Sequence, residues 1–187
     1  VSPLGLAQLH ARPAGPLLQP VELEAEQALL DPLGRDREIR GAGVRSRVAP
    51  LEDTVEGVIA FPSSQWDGRP VDGLKLRFAK GRVIEISAAI GKDAVEAEMQ
   101  KAGDAARAFR EIGLGFNPLL AVPERGPWIP YYGYGAGVVR LSLGDNTELG
   151  GKVAAASGQP AYVRWNFFTD LTVTVGTTTW VRNGQLQ

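Results

Sequence analysis

From about residue 39 onward, the chain consists of short segments in which apolar and polar residues alternate, separated by turns rich in glycine, proline and asparagine. Alternation with a period of two places one side of a segment against a core and the other in water, which is typical of antiparallel β-strands. The pattern predicts a strand at residues 58–61, a hairpin over 73–86 that turns at 79–81, and further strands at 138–143, 162–168 and 171–175. A last hairpin is predicted through residues 177–181, with a terminal turn at Asn183-Gly184.

Residues 92–112 have a longer period, which is that of a helix, and Gly113 and Gly115 follow it as helix-ending residues. The apolar residues near one face of this helix are Ala94, Val95, Met99, Ala102, Ala106 and Phe109. We therefore expect an α+β fold: one β-rich domain over residues 41–187, with a mostly antiparallel sheet and one main helix.

The first 40 residues differ in composition, with prolines at positions 3, 13, 16, 20 and 32. The segment 21–30 has acidic residues in its first turn, which predicts one short helix. An isolated helix of about ten residues is marginal in water. We therefore expect residues 1–40 to form a proline-rich arm that lies on the domain or on a partner.

Charge and composition exclude several classes of protein. The formal net charge is -1 and no dense run of Lys and Arg occurs, so we expect no nucleic-acid partner. The apolar stretches are far shorter than the roughly 20 residues of a membrane span, so we expect a cytoplasmic protein without a membrane partner. The chain has no cysteine, which excludes disulfides, thiolate metal sites and a cysteine nucleophile.

The sequence contains a single histidine, His10. Most hydrolytic metal sites and Ser-His-Asp sites use imidazole, whose ordinary pKa of about 6.5 suits proton transfer near neutrality. This scarcity excludes most hydrolytic mechanisms.

Two motifs have both a functional and a structural interpretation. Gly133-x-Gly135-x-Gly137 has the glycine density of a phosphate loop, but no helix and no Lys-Ser/Thr follow it, which favours a loop that needs positive φ. Residues 51–56 place three carboxylates before a strand and could hold a divalent cation. Carboxylates near a turn are more often solvated or cap the turn.

Several segments, taken in order, resemble the C-terminal, metal-binding half of the aminopeptidase T family of thermophilic dimetal aminopeptidases. The segments are Ala49-Pro50-Leu51-Glu52-Asp53-Thr54-Val55-Glu56-Gly57, the pattern Gly68-x-x-Val71-x-Gly73-Leu-x-Leu-x-Phe78-x-x-Gly81-x-Val83, Arg110-Glu111-Ile112-Gly113-Leu114-Gly115-Phe116-Asn117-Pro118, Val139-Arg140-Leu141-Ser142-Leu143-Gly144, Gly150-Gly151 and Arg164-Trp165-Asn166. They are collinear over residues 41–187, and we expect no equivalent of the family's separate N-terminal domain. The resemblance implies the fold of the family's catalytic domain and is compatible with a homodimer; the N-terminal arm and the aromatic loop fit self-association and equally fit a monomer with a packed tail.

Members of that family bind two divalent ions through two glutamates, a histidine, a tyrosine, a second histidine and an aspartate, in chain order. The resemblance places those six positions, in the same order, on Arg45, Glu111, Arg140, Asn146 or Thr147, Arg164 and Asn166. One ligand of the six, Glu111, is therefore retained. A guanidinium group is a permanent cation without a lone pair, so it cannot ligate a metal ion and repels one. We expect no metal cofactor.

The arginines have more than one interpretation. In the structural one, Arg45, Arg140 and Arg164 pair with Glu111 and nearby carbonyls and hold together strands that metal ions bridge in the family, because a buried unpaired carboxylate costs several kcal/mol. In a second, the surplus positive charge binds a small anion or a peptide carboxylate in a pocket lined by Arg140, Arg164 and the aromatic loop 128–134. A catalytic role, or arginines lying apart on the surface, is the remaining interpretation.

The leading hypothesis is a non-catalytic protein related to leucine aminopeptidases that acts as a binding or structural module. The alternative is an active metal-dependent aminopeptidase or hydrolase with a remodelled site. A second form of this alternative is an enzyme that takes its missing ligands from a partner chain. Convergence of Glu52, Asp53, Glu56 and Glu111 in one cleft with a bound metal ion would support the alternative.

Overall fold

A computed structural model describes residues 7–10, 21–23, 45–49, 52–118, 135–175 and 178–187. The strands and the helix in these ranges are β1 (Ala7–His10), β2 (Val21–Leu23), β3 (Arg45–Val48), β4 (Gly57–Ala60), β5 (Ser64–Trp66), β6 (Arg69–Val71), β7 (Lys75–Ala79), β8 (Arg82–Ser87), α1 (Lys92–Ala102), β9 (Phe109–Gly115), β10 (Val139–Gly144), β11 (Val163–Phe168), β12 (Thr172–Val175), β13 (Thr178–Arg182) and β14 (Gln185–Leu186). Short 3-10 helices occur at Glu52–Thr54, Asp104–Arg107 and Thr147–Leu149.

The strands form antiparallel sheets. Their orders are β14-β13-β12-β1-β2, β11-β10-β9-β3, β4-β7-β8 and β5-β6. One helix packs against these sheets, with Ala94, Val95 and Met99 buried as predicted. The α+β, β-rich fold expected from the sequence is therefore confirmed.

Two of the predicted hairpin turns have the expected backbone. Lys80 and Gly81 have φ of 49° and 70°, and Asn183 and Gly184 have φ of 49° and 76°. Two positive φ angles in succession give a turn whose twist matches that of the strands on either side. These turns fix the pairing of β7 with β8 and of β13 with β14.

The predicted helix over residues 92–112 is too long. It ends at Ala102, because Gly103 has φ of 80° and ψ of -167° and leaves the helical region. The chain continues as a 3-10 helix and then as β9, in which Phe109 pairs with Leu143. The helical spacing of Phe109 was therefore misleading, because pairing with β10 determines the structure there.

The described parts of the N-terminal arm are strands. β1 pairs with β12 and β2 pairs with β1, so both extend the five-stranded sheet. The helix predicted from residue 21 is wrong over Val21–Leu23, where the backbone groups bond to β1 instead. Residues 24–30 lie outside the described ranges, and the domain boundary near residue 40 stays a prediction.

The apolar core extends over both faces of the central strands β9 and β10, which also carry charged side chains. Trp66, Leu76, Phe78 and Leu141 are all 0–2% exposed and belong to one apolar cluster that joins the sheets to α1. Every residue of β9 and of β10 is buried, so both faces of the four-stranded sheet are covered along these strands. Because both strands carry charged residues, those charges need counterions inside the protein.

Candidate functional site

The register of the four-stranded sheet gathers charged residues on one of its faces. Glu111 of β9 is paired with Ser142 of β10, and Arg140 is paired with Gly113. On the other side of β9, Arg47 of β3 is also paired with Gly113. Paired residues of antiparallel strands project from the same face. Arg47, Glu111, Arg140 and Ser142 therefore share one face, which we call the charged face.

Glu111 lies at the centre of the charged face and is 0% exposed. Its Oε2 accepts hydrogen bonds from Nε and Nη2 of Arg47, at 3.1 and 2.6 Å. Its Oε1 lies 2.7 Å from Nε of Arg140, although the N–H direction does not meet hydrogen-bond geometry, so this contact is an ion pair. A single buried carboxylate thus bridges β3, β9 and β10.

A third arginine, Arg110, lies next to Glu111 on the same side of the sheet because β9 contains a bulge. The pairing skips one residue between Ser142 and Leu143, so Arg110 and Glu111 together face one residue of β10. Such a bulge turns two neighbouring side chains toward the same side. Nε of Arg110 lies 3.5 Å from Glu111 Oε2, and its Nη2 donates a short hydrogen bond to Glu148. We call Arg47, Arg110, Glu111, Arg140 and Glu148 the Glu111 cluster.

The Glu111 cluster carries excess positive charge. Three guanidinium groups face two carboxylates, which leaves a net charge of +1. Burial by itself lowers the pKa of Arg47, but hydrogen bonds to Glu111 and the charge of that carboxylate outweigh it, so the pKa is raised. The guanidinium carbon of Arg140 also lies 5.2 Å from the centre of the Trp165 ring. That ring is 41% exposed and lies close enough for a cation-π contact.

The donor set around Glu111 does not fit a metal ion. Its neighbours are guanidinium groups, which have no lone pair to donate and repel a cation. In the described ranges, no group of three His, Cys, Asp or Glu side chains lies close enough together to hold a metal. Among the described residues, the pair of divalent ions that the family resemblance implies therefore has no suitable ligand set around Glu111.

Arg164 and Asn166 lie on the opposite face of the sheet. They belong to β11, where Arg164 is paired with Leu143 and Asn166 with Leu141, whose side chains are in the core. The structure therefore does not bring Arg164 to Glu111, as the structural interpretation expected; Nη2 of Arg164 donates instead to the backbone carbonyl of Gln65. It also separates Arg164 from Arg140, which the predicted anion pocket combined.

Arg164 forms a second cluster with α1 and with the hairpin of β5 and β6. Its Nη1 donates to Oε1 of Glu98 at 2.7 Å, and its guanidinium carbon lies 3.5 Å from the centre of the Trp66 ring. Tyr162 donates to the same Glu98 oxygen at 2.7 Å, and Glu98 Oε2 accepts the backbone N–H of Asp67 at 2.7 Å. Burial, then the contact with Glu98, raises the pKa of Tyr162. This arrangement fixes α1 against the sheets.

The remaining predicted ligand positions have structural contacts. Asn146 is 0% exposed, and its Oδ1 accepts the backbone N–H of Val153 at 2.8 Å. Thr147 donates from its backbone N–H and its hydroxyl to Oδ1 of Asp145, at 3.0 and 2.6 Å. These bonds hold the pKa of Asp145 below its ordinary value. Arg45 is paired with Gly115 on the charged side of β3, but its side chain lies outside the described part of the structure.

The carboxylates of residues 52–56 are not brought to Glu111 where the structure describes them. Glu56 is exposed and accepts the backbone N–H of Lys80 at 2.8 Å. Asp53 is also exposed, and the side chain of Glu52 lies outside the described part. The aromatic loop 128–134 lies outside the described residues as well.

Sequence reasoning missed Arg47, Arg110 and Glu148. A signal existed for Arg47, because it lies two residues after Arg45 and so on the same side of a strand. Arg110 precedes Glu111 directly, and strict alternation would place it on the opposite face, so only the bulge reveals it. Nothing in the sequence near Glu148 indicates its contact with β3 and β9.

Comparisons with solved structures show which known proteins share this fold. The chain superimposes on 2,5-dihydroxypyridine dioxygenase from Pseudomonas putida KT2440 with a TM-score of 0.64 and 15% identity, covering 98% of this chain and 55% of that chain. Wild-type AmpT from Thermus thermophilus gives a TM-score of 0.59 and 13% identity, with 98% and 50% covered. The chain thus spans about half the length of each structure that it matches.

A family model matches part of the sequence. Residues 48–118 match the family model of the thermophilic metalloproteases, M29. No curated protein matches the sequence. The resemblance to the aminopeptidase T family is therefore confirmed: residues 48–118 match the family in sequence, and the chain shares the fold of AmpT. Separately, no helix in the described ranges is long and apolar enough to cross a membrane.

Proposed function

We propose that this chain is a non-catalytic, aminopeptidase-like domain that acts as a binding or structural module. The observation that carries the proposal is the environment of Glu111, the one family ligand position that keeps its residue type. Its carboxylate is fully buried and contacts Arg47 and Arg140 within 2.7 Å. The positive charge that metal ions supply in the family is supplied here by side chains of the chain itself.

The geometry also argues against Glu111 as a general base. A general base needs a lone pair that can reach a water molecule or a substrate proton. Oε2 of Glu111 already accepts two hydrogen bonds from Arg47, and Oε1 is in contact with Arg140.

The fold alone does not assign an activity. The two similar structures are named a dioxygenase and AmpT, so one architecture is found in proteins with different names and chemistry. The function of this chain must therefore be argued from its own residues. The Glu111 cluster ties three strands together, which supports a structural role for the former metal region. A homodimer and a cytoplasmic location stay predictions.

The test is metal content measured together with peptidase activity. The protein is dialysed against excess zinc or cobalt and then against metal-free buffer, and bound metal is measured by elemental analysis. Turnover of leucine-p-nitroanilide is followed in the same samples. We expect no bound metal and no turnover above that of Glu111→Gln. The exposed substitution Glu85→Gln is the matched control, because Glu85 is 58% exposed and pairs with Arg77 in a hairpin.

The active-enzyme alternative gives a distinct result. About two equivalents of metal, as in a two-metal hydrolase, with turnover that Glu111→Gln abolishes and Glu85→Gln preserves, would contradict the proposal. It would mean that the arginines move away from Glu111 in solution.

A further inference from the structure

Glu148 is an exposed carboxylate that lies on two arginines of the Glu111 cluster. Its Oε1 lies 3.2 Å from Nη2 of Arg47 and accepts a short hydrogen bond from Nη2 of Arg110. The side chain of Glu148 is 62% exposed, whereas that of Arg110 is 2% exposed. The negative charge that pairs with the buried guanidinium group of Arg110 is therefore carried by Glu148, a side chain that is largely exposed to solvent.

Some buried polar atoms in and beside the Glu111 cluster lack a hydrogen bond in the described part of the chain, among them the acceptor Glu111 Oε1, which lies 2.7 Å from Nε of Arg140. Nε of Arg110 and Oγ of Ser142 are buried and have no hydrogen-bond partner in the described part of the chain. Ser142 is 1% exposed and is paired with Glu111, directly opposite the bulge that contains Arg110. Unbonded buried donors beside a net charge of +1 are the environment that an additional anionic group would stabilise.

The side chain of Glu148 takes no part in the bonds that hold the start of its 3-10 helix. It belongs to the 3-10 helix Thr147–Leu149, which is held at its start by the hydrogen bonds from Thr147 to Asp145. The described contacts of the Glu148 side chain are with Arg47 and Arg110. A rotation about its side-chain torsions into solvent would therefore break both contacts and leave the bonds between Thr147 and Asp145 in place.

We propose that Arg47 and Arg110 form a carboxylate-binding site, which Glu148 occupies in the free protein and which a ligand carboxylate takes when Glu148 turns outward. The planar, forked arrangement of guanidinium N–H groups matches a carboxylate in shape and charge. The ligand is a free carboxylic acid or the C-terminal carboxylate of a peptide. This inference rests on the proposed function, because a metal ion at Glu111 would repel the same arginines.

The experiment is rescue of Glu148 variants by an added carboxylate. Urea unfolding of the full chain is measured for wild type, Glu148→Ala and Glu148→Gln in sodium acetate, in the tripeptide Gly-Gly-Gly and in its C-terminal amide. Sodium chloride at equal ionic strength is the reference. We expect acetate to stabilise both Glu148 variants, with half-saturation at about tenfold lower acetate than in wild type, because the internal competitor is gone. Glu85→Ala, which removes an exposed carboxylate from Arg77, is the control and should behave as wild type.

Comparison of acetate, the tripeptide and its amide shows whether the ligand is a small carboxylic acid or a peptide C-terminus. Stabilisation by the tripeptide but not by its amide indicates a peptide C-terminus, and stabilisation by acetate alone indicates a small carboxylic acid; both support the site. Loss of the acetate effect in Glu148→Ala combined with Arg47→Met supports the assigned residues. An acetate effect no larger than that of chloride, or one that persists after Arg47→Met, overturns the inference. Because the metal-content measurement tests the proposed function separately, the two failures are distinguishable.

Discussion

Replacing Glu111 with glutamine is the perturbation that bears most directly on the Glu111 cluster. The carboxylate is 0% exposed and lies 2.6 Å from Arg47 and 2.7 Å from Arg140. Glutamine keeps the shape but removes the only negative charge in the interior of the cluster. Removing one partner of a buried ion pair destabilises a protein by about 3–5 kcal/mol, because the other charge is left uncompensated. We expect a loss of that size in the free energy of unfolding.

The assay is urea unfolding at pH 7, followed by tryptophan fluorescence and circular dichroism. With a slope of about 2 kcal/mol per molar urea, a loss of about 4 kcal/mol lowers the midpoint by about 2 M. Glu85→Gln removes a carboxylate from an exposed pair with Arg77, so it should cost about 0–1 kcal/mol. Equal losses in the two variants, at unchanged slope, would refute the claim that Glu111 is the counterion of buried arginines.

Three further predictions concern single side chains. Arg140→Met removes one cation from Glu111, which keeps its bonds to Arg47. Urea unfolding should therefore show a loss of about 1–3 kcal/mol in the free energy of unfolding. Unchanged stability would show that Arg140 is not structural. Tyr162→Phe should cost about 1 kcal/mol, because Glu98 loses one donor but keeps Arg164. Because burial raises the pKa of Tyr162, the absorbance change near pH 10 should be the same in both proteins. The pKa of Asp145 is lowered, so its contribution to stability is present above its ordinary pKa of about 3.9 and is lost as pH falls through the folded-state pKa. Wild type should therefore be more stable than Asp145→Asn at pH 7, and a difference that does not shrink below about pH 4 would contradict this.

The parts of the fold that local chemistry determines were predictable. Alternation located β7 and β8, and the Lys80-Gly81 pair located the turn between them. The Asn183-Gly184 pair did the same for the last hairpin. In each case the side-chain period and the turn residues agree, so few alternatives remain.

The parts that depend on distant partners were not predictable. Residues 104–112 have helical spacing, but Phe109–Gly115 forms a strand because it pairs with both β10 and β3. Val21–Leu23 has helix-like neighbours in sequence but pairs with β1. Strand pairing with segments far along the chain outweighs local propensity in both places.

The charge pairing around Glu111 could be predicted from the sequence, but most of the residues that take part in it could not. Arginine in place of metal ligands indicated a charge-paired region around Glu111, and the contact with Arg140 agrees with that expectation. Arg164 is one residue out of phase with the charged face and so belongs to the other side of β11. Arg110 is present because of the bulge, which alternation alone cannot show.

The most direct test of the central claim, that arginines stand in place of metal ions at Glu111, is anomalous diffraction at the zinc edge from crystals soaked in zinc. We expect no anomalous peak at the Glu111 carboxylate, and electron density that places Arg47 and Arg140 in contact with it. An anomalous peak within coordination distance of Glu111, about 2.0–2.2 Å from its oxygen, with the arginines displaced, would contradict the account.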